Sequence, residues 1–219
     1  MPSYSRASDL PQVIPVFPLT GALLLPRGAL PLNIFEPRYL NMVDDAMAGE
    51  RIIGMVQPRP GGERARPWLQ AVGCAGRITS YAETSDGRYL ITLTGIARFR
   101  LGDELPVPTP YRQVKAAFAP FEHDLQPAPE DWTFDRDRLL AALKAYLNRR
   151  SMDVDWSTAR EAPGEALVNS LAMALPFEPP EKQALLQAHD LDDRVKALTA
   201  LLEIDAAGGG DDDEPPPVQ

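Results

Sequence analysis

Few side chains in this sequence are suited to nucleophilic, metal or phosphate chemistry: two histidines, one cysteine and four lysines. A phosphate-binding loop needs Gly-Lys-Ser/Thr, so that backbone amides and the lysine meet the phosphates. Lys115, Lys144, Lys182 and Lys196 never follow a glycine. No serine centres a Gly-x-Ser-x-Gly elbow, and none precedes a lysine by three positions. A more distant Ser–Lys pair is left open by spacing, but nothing supports one. His123 and His189 lie far apart, and neither makes a two-ligand spacing with Cys74 or with the other, so no metal is expected. Both read as surface side chains, His189 near a helix C-terminus where a cation is favoured. Cys74, within Ala71-Val72-Gly73-Cys74-Ala75-Gly76, has small apolar neighbours and reads as a buried, inert thiol. Carboxylates are plentiful, but spacing alone pairs none of them. No catalytic residue and no cofactor is expected.

One basic segment stands out. Arg59–Pro67, RPGGERARP, carries Arg59, Arg64 and Arg66 with Trp68 directly after it. It reads as a solvated, mobile Gly/Pro loop, and RNA contact is the alternative. A formal net charge of −9 opposes nucleic-acid binding, which rests on clustered Lys/Arg and released counterions. Asp211, Asp212, Asp213 and Glu214 contribute four of those negative charges.

The elements that must position any site follow from periodicity. Short apolar runs broken by Pro and Gly read as strands at Val13–Phe17, Leu23–Leu25, Leu30–Phe35, Ile52–Val56, Ala71–Tyr81, Tyr89–Leu101 and Arg112–Phe118. Asp86-Gly87 marks a hairpin. Pro37 suits the first position of a helix in which Tyr39, Leu40, Val43 and Met47 recur at helical spacing until Gly49. Many short strands with one helix predict a small, partly closed barrel. Beyond Pro129 the period turns helical. Stripes at Leu139, Leu140, Leu143, Tyr146 and Leu147, at Leu167, Leu171 and Leu175, at Leu185 and Leu186, and at Val195, Leu198, Leu201 and Leu202 predict a bundle of about four helices. Asp135 and Asp190 stand where caps are needed.

The expected organisation is α+β: a disordered lead-in over 1–11, a β-barrel over 12–120, a linker over 121–132, a helical bundle over 133–205, and a disordered acidic, proline-rich tail over 206–219. Twenty-three prolines, about twice ordinary usage, punctuate it. No apolar run approaches the roughly 20 residues of a membrane span. The start MPSYSRASDL lacks the basic-then-apolar order of a signal peptide, and one cysteine permits no internal disulfide. A cytoplasmic protein is expected.

The most distinctive stretch is Val13–Val43, VIPVFPLTGALLLPRGALPLNIFEPRYLNMV. It resembles the opening of the N-terminal substrate-binding domain of Lon proteases. Phe17-Pro18-Leu19, Leu25-Pro26-Arg27-Gly28 and the intact Phe35-Glu36-Pro37-Arg38-Tyr39 carry the resemblance. Arg51–Val56, Val72–Ile78, Asp86–Arg88, Gly95–Arg100 and the helical part from Glu181 continue it in order, over about residues 12–204. The resemblance implies a PUA-like pseudo-barrel of about six or seven strands with one helix, followed by the bundle. It implies polypeptide recognition, while the ATPase and Ser–Lys peptidase of Lon have no counterpart here. The motif residues Phe35, Glu36, Pro37, Arg38 and Tyr39 are assigned structural tasks: Glu36 facing the helix's positive end, Arg38 forking onto a carboxylate or strand carbonyls, Tyr39 plugging the barrel.

A polypeptide-binding module needs an exposed apolar patch or groove. Leu23, Leu24 and Leu25, with Trp68 and Tyr81 as aromatic anchors, are the candidates. The partners would be unfolded or specific polypeptides, with a separate protease as a further one, and neither membrane nor nucleic acid. The alternatives are an RNA-binding PUA-like protein, or a small-molecule enzyme with a site between barrel and bundle.

Overall fold

Tyr89–Glu104 is a strand of 16 residues, too long to be covered by one partner, and it organises the β-rich part of the protein. In the computed structural model, which describes residues 4–63, 66–129 and 131–208, it is β7 of eight strands: β1 (Val13–Pro18), β2 (Ala29–Ile34), β3 (Ile52–Val56), β4 (Pro58–Glu63), β5 (Arg66–Leu69), β6 (Val72–Glu83), β7 and β8 (Arg112–Ala117). The first half of β7 pairs antiparallel with β2, from Ile34↔Tyr89 to Ala29↔Thr94. Its second half reaches β8 through Arg100↔Ala117 and Leu101↔Ala116. Six strands form one mixed sheet in the order β2-β7-β6-β3-β1-β8, with β1 and β3 parallel. Since β8 pairs with both β1 and β7, five of the strands close into a ring and β2 extends one side.

Inward residues of that ring, among them Ile14, Val16, Ala97, Phe99 and Val114, make a core that includes Leu10. Each of the Ile, Val, Leu and Phe side chains contributes about 1.5–3 kcal/mol on burial. The lead-in is therefore ordered over its described residues, contrary to expectation. Leu10 is buried, the Asp9 carboxylate accepts from the Ser5 and Arg6 N–H groups, and the Ala7 N–H donates to Glu122 at 2.8 Å.

Leu23–Leu25 is not a strand. The segment crosses the sheet where two glycines leave room: a Cβ on Gly76 would come within 2.6 Å of Leu24 Cδ2, and one on Gly95 would overlap the Leu25 carbonyl. Leu23, Leu24 and Leu25 are consequently 2%, 1% and 0% exposed. The trio belongs to the core and offers no docking surface. The basic loop is also corrected, because β4 and β5 form a hairpin with a bulge between Arg59 and Gly62. Trp68 packs over that bulge, its ring occupying the space beside Gly61. The hairpin at Asp86-Gly87 is present, with Gly87 at φ +78° and the Thr84 N–H donating to the Arg88 carbonyl.

Helix α1 (Pro37–Ala48) begins with Pro37 in the first turn and ends at Gly49. Tyr39, Met42, Val43 and Ala46 are its buried face, an i, i+3, i+4, i+7 stripe. Five helices follow: α2 (Arg136–Arg149), α3 (Trp156–Glu161), α4 (Gly164–Ala174), α5 (Pro179–Gln187) and α6 (Leu191–Ala207). The chain falls into two compact units, one running to Pro127 and including Asn169–Gln187, the other comprising Ala128–Val168 and the residues from Ala188.

The helices thus do not all gather after the strands, as the expected bundle would require. Within the first unit, Gln183 of α5 donates to the Val72 carbonyl at 3.1 Å, and Gln57 donates to Pro179 O and Gln183 Oε1. Asn169 donates to the Pro26 carbonyl. These are buried polar side chains matched mostly to main-chain carbonyls, a specificity that an apolar stripe does not announce. Part of the expected linker is ordered too, since Ala119–Leu125 forms 3-10 turns and buries Asp124.

In the second unit α2 packs on α6, and the two bury Leu139, Leu143, Tyr146, Leu147, Leu198 and Leu202. Asp135, Asp155 and Asp190 each accept backbone N–H groups at the starts of α2, α3 and α6. Such caps are worth about 1 kcal/mol each. Residues 1–3, Arg64, and 209–219 with the acidic run lie outside the described residues.

Candidate functional site

The Phe-Glu-Pro-Arg-Tyr motif opens α1, and its helical start fixes where Arg38 and Tyr39 go. Glu36 occupies the N-cap position with extended backbone, but its carboxylate takes no backbone hydrogen bond from the helix. It accepts instead from Arg38 Nε at 3.0 Å. The expected fork of Arg38 onto a carboxylate is therefore realised two residues away. The Arg38 guanidinium also lies 4.6 Å from the centre of the Tyr39 ring. Tyr39 itself is buried, its ring centre 4.3 Å from that of Phe17 on β1. Burial raises its phenol above the ordinary tyrosine pKa. Tyr39 is the buried member of the motif, whereas Phe35 is 61% exposed and faces the Arg88 guanidinium at 5.8 Å.

Arg38 and Tyr39 line a cleft of about 480 Å³. Its other walls come from the end of β1, from the hairpin at Pro58, Arg66 and Pro67, and from the connection after β7. That connection, Leu105-Pro106-Val107-Pro108-Thr109-Pro110, cannot join a sheet ladder, because prolines have no N–H to donate. It is pinned by the Leu105 N–H to the Gln113 carbonyl at 2.9 Å and by the Thr109 hydroxyl to the Tyr111 carbonyl at 2.9 Å. The result is an apolar lip rich in proline.

One charged cluster crosses this lip. Arg112 engages Glu104 with both arms, Nε to Oε1 at 3.0 Å and Nη2 to Oε2 at 2.7 Å, while Nη1 donates to the Pro67 carbonyl at 2.7 Å. Arg66 donates to the same Glu104 Oε1 at 2.7 Å. Burial works against a charged Glu104, but the hydrogen bonds and charge of Arg112, then the charge of Arg66, outweigh it, and the carboxyl stays below its usual range. Tyr111, also lining, donates its hydroxyl to Asp45 Oδ2 at 2.6 Å.

The cleft's described lining thus holds a single carboxylate, and arginines hold that carboxylate ionised. An acid–base pair of carboxylates with separated pKa values is not what these residues make. Among the described residues, His189, Asp190 and Asp193 bring ligand atoms within 4.8 Å of one another, all exposed, with Asp190 occupied as the cap of α6.

Of the anchors expected from sequence, Trp68 is 54% exposed on β5, between cleft residue Pro67 and buried Leu69, with the Arg59 guanidinium 5.1 Å from its ring. Tyr81 stands on β6 against Tyr89, ring centres 5.1 Å apart, and neither Trp68 nor Tyr81 is among the residues that line the cleft. Cys74 is buried, as expected. Arg59 donates to the Leu69 carbonyl and Arg66 is paired with Glu104, so two of the three arginines of the basic segment have protein partners.

Glu104 and Arg112 escaped sequence reasoning, although a signal existed. They flank a short connection between paired strands, and the ladder sets Glu104 opposite Val114, which makes Arg112 its diagonal neighbour.

A family model described as the ATP-dependent protease La (LON) substrate-binding domain matches residues 13–203. Over 216 residues the chain is 27% identical to Lon protease 2 of Myxococcus xanthus, covering 92% of this chain and 24% of that protein. A Lon protease of Desulfosudis oleivorans is 25% identical over 206 residues, 88% of this chain and 24% of its own length. The chain therefore spans about a quarter of the curated relatives it matches. A Lon N-terminal domain protein from Xanthomonas campestris has a similar fold, with a TM-score of 0.60, 24% identity, and coverage of 86% of this chain and 97% of that one. The N-terminal domain of a Mycobacterium avium complex Lon protease gives a TM-score of 0.58 at 19% identity, covering 90% and 99%. With the family model matching most of its length, the chain belongs to the Lon substrate-binding domain family.

Proposed function

We propose that this chain is a non-catalytic, polypeptide-binding module, and that it takes extended polypeptide in the cleft beside Arg38 and Tyr39. One observation carries the reading: the motif that marks the family places Arg38 and Tyr39 in a cleft of about 480 Å³ whose lip is built from prolines and aliphatics. An extended chain has backbone groups to satisfy and apolar side chains to shelter, and a groove that sets placed polar groups beside prolines and aliphatics suits both.

Trp68, half exposed on β5 next to the cleft residue Pro67, serves as an aromatic anchor just outside the cleft. The closed ring of strands is the PUA-like barrel that carries the site. A protease is the natural recipient of what the module binds, in line with its family. The buried, unbridged Cys74 suits a reducing compartment such as the cytoplasm, and no helix among the described residues is long and apolar enough to cross a membrane.

The test is a fluorescence-anisotropy titration of a dye-labelled, permanently unfolded polypeptide of near-neutral charge with the full chain. Thr20 is exposed and lines the cleft, so Thr20→Trp fills the groove without entering the core. Saturable binding that Thr20→Trp weakens at least tenfold, at an unchanged melting temperature, is the expected result. Absence of binding by the wild type overturns the reading.

A further inference from the structure

We propose that the cleft selects acidic segments, with Arg66 and Arg38 as the residues that receive incoming Asp or Glu side chains. The inference rests on the polypeptide reading of this cleft and deepens it to a substrate class.

Charge is the first argument. The chain as a whole carries a net −9, yet the ionisable side chains of the cleft, tyrosines aside, are Arg38, Arg66 and Arg112 against Glu104. A concentration of positive charge in a groove of an acidic protein focuses its field on that groove, where low-dielectric walls strengthen it. The proline lip supplies such walls.

The lip of the cleft already seats one carboxylate, that of Glu104. Arg112 and Arg66 converge on the Glu104 carboxylate through three contacts of 2.7–3.0 Å, two of them the arms of the Arg112 fork. Planar guanidinium groups match carboxylates in this way, and the arrangement shows a carboxylate seated at the lip. One carboxylate shared by two guanidinium groups leaves a positive surplus there. Arg112 is committed, with its third arm on the Pro67 carbonyl and its side chain 20% exposed. Arg66 makes one contact with Glu104 and its side chain is 64% exposed, so it can turn to a second carboxylate without disturbing the fork. Arg38, 40% exposed and paired with Glu36 at the surface, stands on another wall of the same cleft. Two half-exposed arginines on separate walls suit a segment bearing more than one acidic side chain. Surface pairs of this kind are exchanged at little cost.

Three dye-labelled twelve-residue peptides, identical except that alternate positions carry Asp/Glu, Asn/Gln or Lys, test this in anisotropy titrations with the full chain, alongside the near-neutral unfolded polypeptide. The acidic peptide is expected to bind at least tenfold more tightly than its amide counterpart, with the advantage shrinking as salt is raised from 50 to 500 mM. Arg38→Gln/Arg66→Gln should abolish that advantage and Arg38→Lys/Arg66→Lys should restore part of it, with the melting temperature unchanged in both. Equal binding of acidic and amide peptides overturns the selectivity while leaving the polypeptide reading intact. An acidic preference that survives Arg38→Gln/Arg66→Gln overturns the assignment to these residues. A single-stranded RNA oligonucleotide that binds in place of the peptides, with the same dependence on the two arginines, overturns the proposal in favour of a polyanion site. Failure of every polypeptide to bind overturns the underlying reading itself.

Discussion

Arg98 on β7 and Asp124 in the 3-10 turns form a buried, two-armed ion pair, Nε to Oδ2 at 2.8 Å and Nη2 to Oδ1 at 2.8 Å. The Arg98 backbone N–H donates to the same Oδ2 at 2.9 Å, and Nη1 reaches the Leu186 carbonyl of α5. One arginine therefore ties strand, turn and helix together inside the first unit. Removing one partner leaves the other charged and buried, so Arg98→Met should cost about 3–5 kcal/mol in urea unfolding. The double variant Arg98→Met/Asp124→Leu should recover much of that loss. A loss in the double variant equal to the sum of the Arg98→Met and Asp124→Leu losses would show that the two residues are not coupled.

The same pair predicts an acid transition. Burial opposes the charged Asp124 carboxylate, but Arg98's hydrogen bonds and charge prevail, and the pKa is held below the ordinary value of 3.8. A carboxyl depressed in the folded state contributes stability that is complete above its unfolded pKa and disappears as pH falls through its folded pKa. Stability of the wild type should thus decline more steeply below about pH 4 than that of Asp124→Asn, which starts lower and titrates less. Parallel curves for the two proteins would refute the assignment.

Gly95 gives a backbone test. Its missing Cβ is what lets the Leu25 carbonyl cross β7, with Leu25 C at 2.8 Å and Pro26 Cα at 3.2 Å from where a methyl would stand. The Arg27 N–H also donates to the Gly95 carbonyl, and the Gly95 N–H to the Gly28 carbonyl, both at 2.8 Å. The neighbours are main chain and cannot step aside by changing rotamer. Gly95→Ala should cost at least about 1–3 kcal/mol and lower the melting temperature, whereas Gly87→Ala meets no atom within 4 Å and should cost only the strain of its positive φ.

How much of this was legible beforehand depends on whether a residue acts through its neighbours in sequence. The start of α1 at Pro37, its end at Gly49, the turn at Gly87 and the caps Asp135 and Asp190 are local chemistry, and each stands where the sequence puts it. Leu23–Leu25 misled because an apolar run reads the same whether it pairs as a strand or is buried as a crossing segment. The two glycines that decide lie about 50 and 70 residues further along. Helix α5 was legible as a helix but not as part of the first unit, since Gln183 and Gln57, 126 positions apart, make that choice. In the cleft, Arg38 and Tyr39 were singled out through the motif, but for structural tasks and not as lining of a groove. Glu104 and Arg112 were lost because strand ends are the least certain part of a periodicity reading.

Leu25 and Trp68 separate the core from the anchor experimentally. Leu25 is 0% exposed, so Leu25→Ala should cost about 2–5 kcal/mol and change binding only through loss of fold. Trp68 is half exposed over the bulge of its hairpin, so Trp68→Ala should shift stability by no more than about 1 kcal/mol. Circular-dichroism melts of the two variants check the contrast. A large loss for Trp68→Ala would make it a structural residue and remove it as an anchor.

Tyr111 closes the argument at the opposite end of the pH scale. Its ring is buried and its hydroxyl donates to Asp45 Oδ2 at 2.6 Å. Burial, then the hydrogen bond to Asp45, raises its pKa well above the usual 10.0. A group whose pKa is raised on folding contributes stability that is intact below its unfolded value and vanishes as pH climbs through the folded one. Wild-type stability should therefore hold to about pH 10 and fall above it, as the unfolded chain gains by ionising first. Tyr111→Phe removes both the bond and the titration: it should cost about 1 kcal/mol at pH 7 and flatten the alkaline fall. Absorbance titration at 295 nm should show one tyrosine fewer ionising only on unfolding in Tyr111→Phe. An unchanged alkaline profile would mean that the Tyr111–Asp45 contact does not persist in solution.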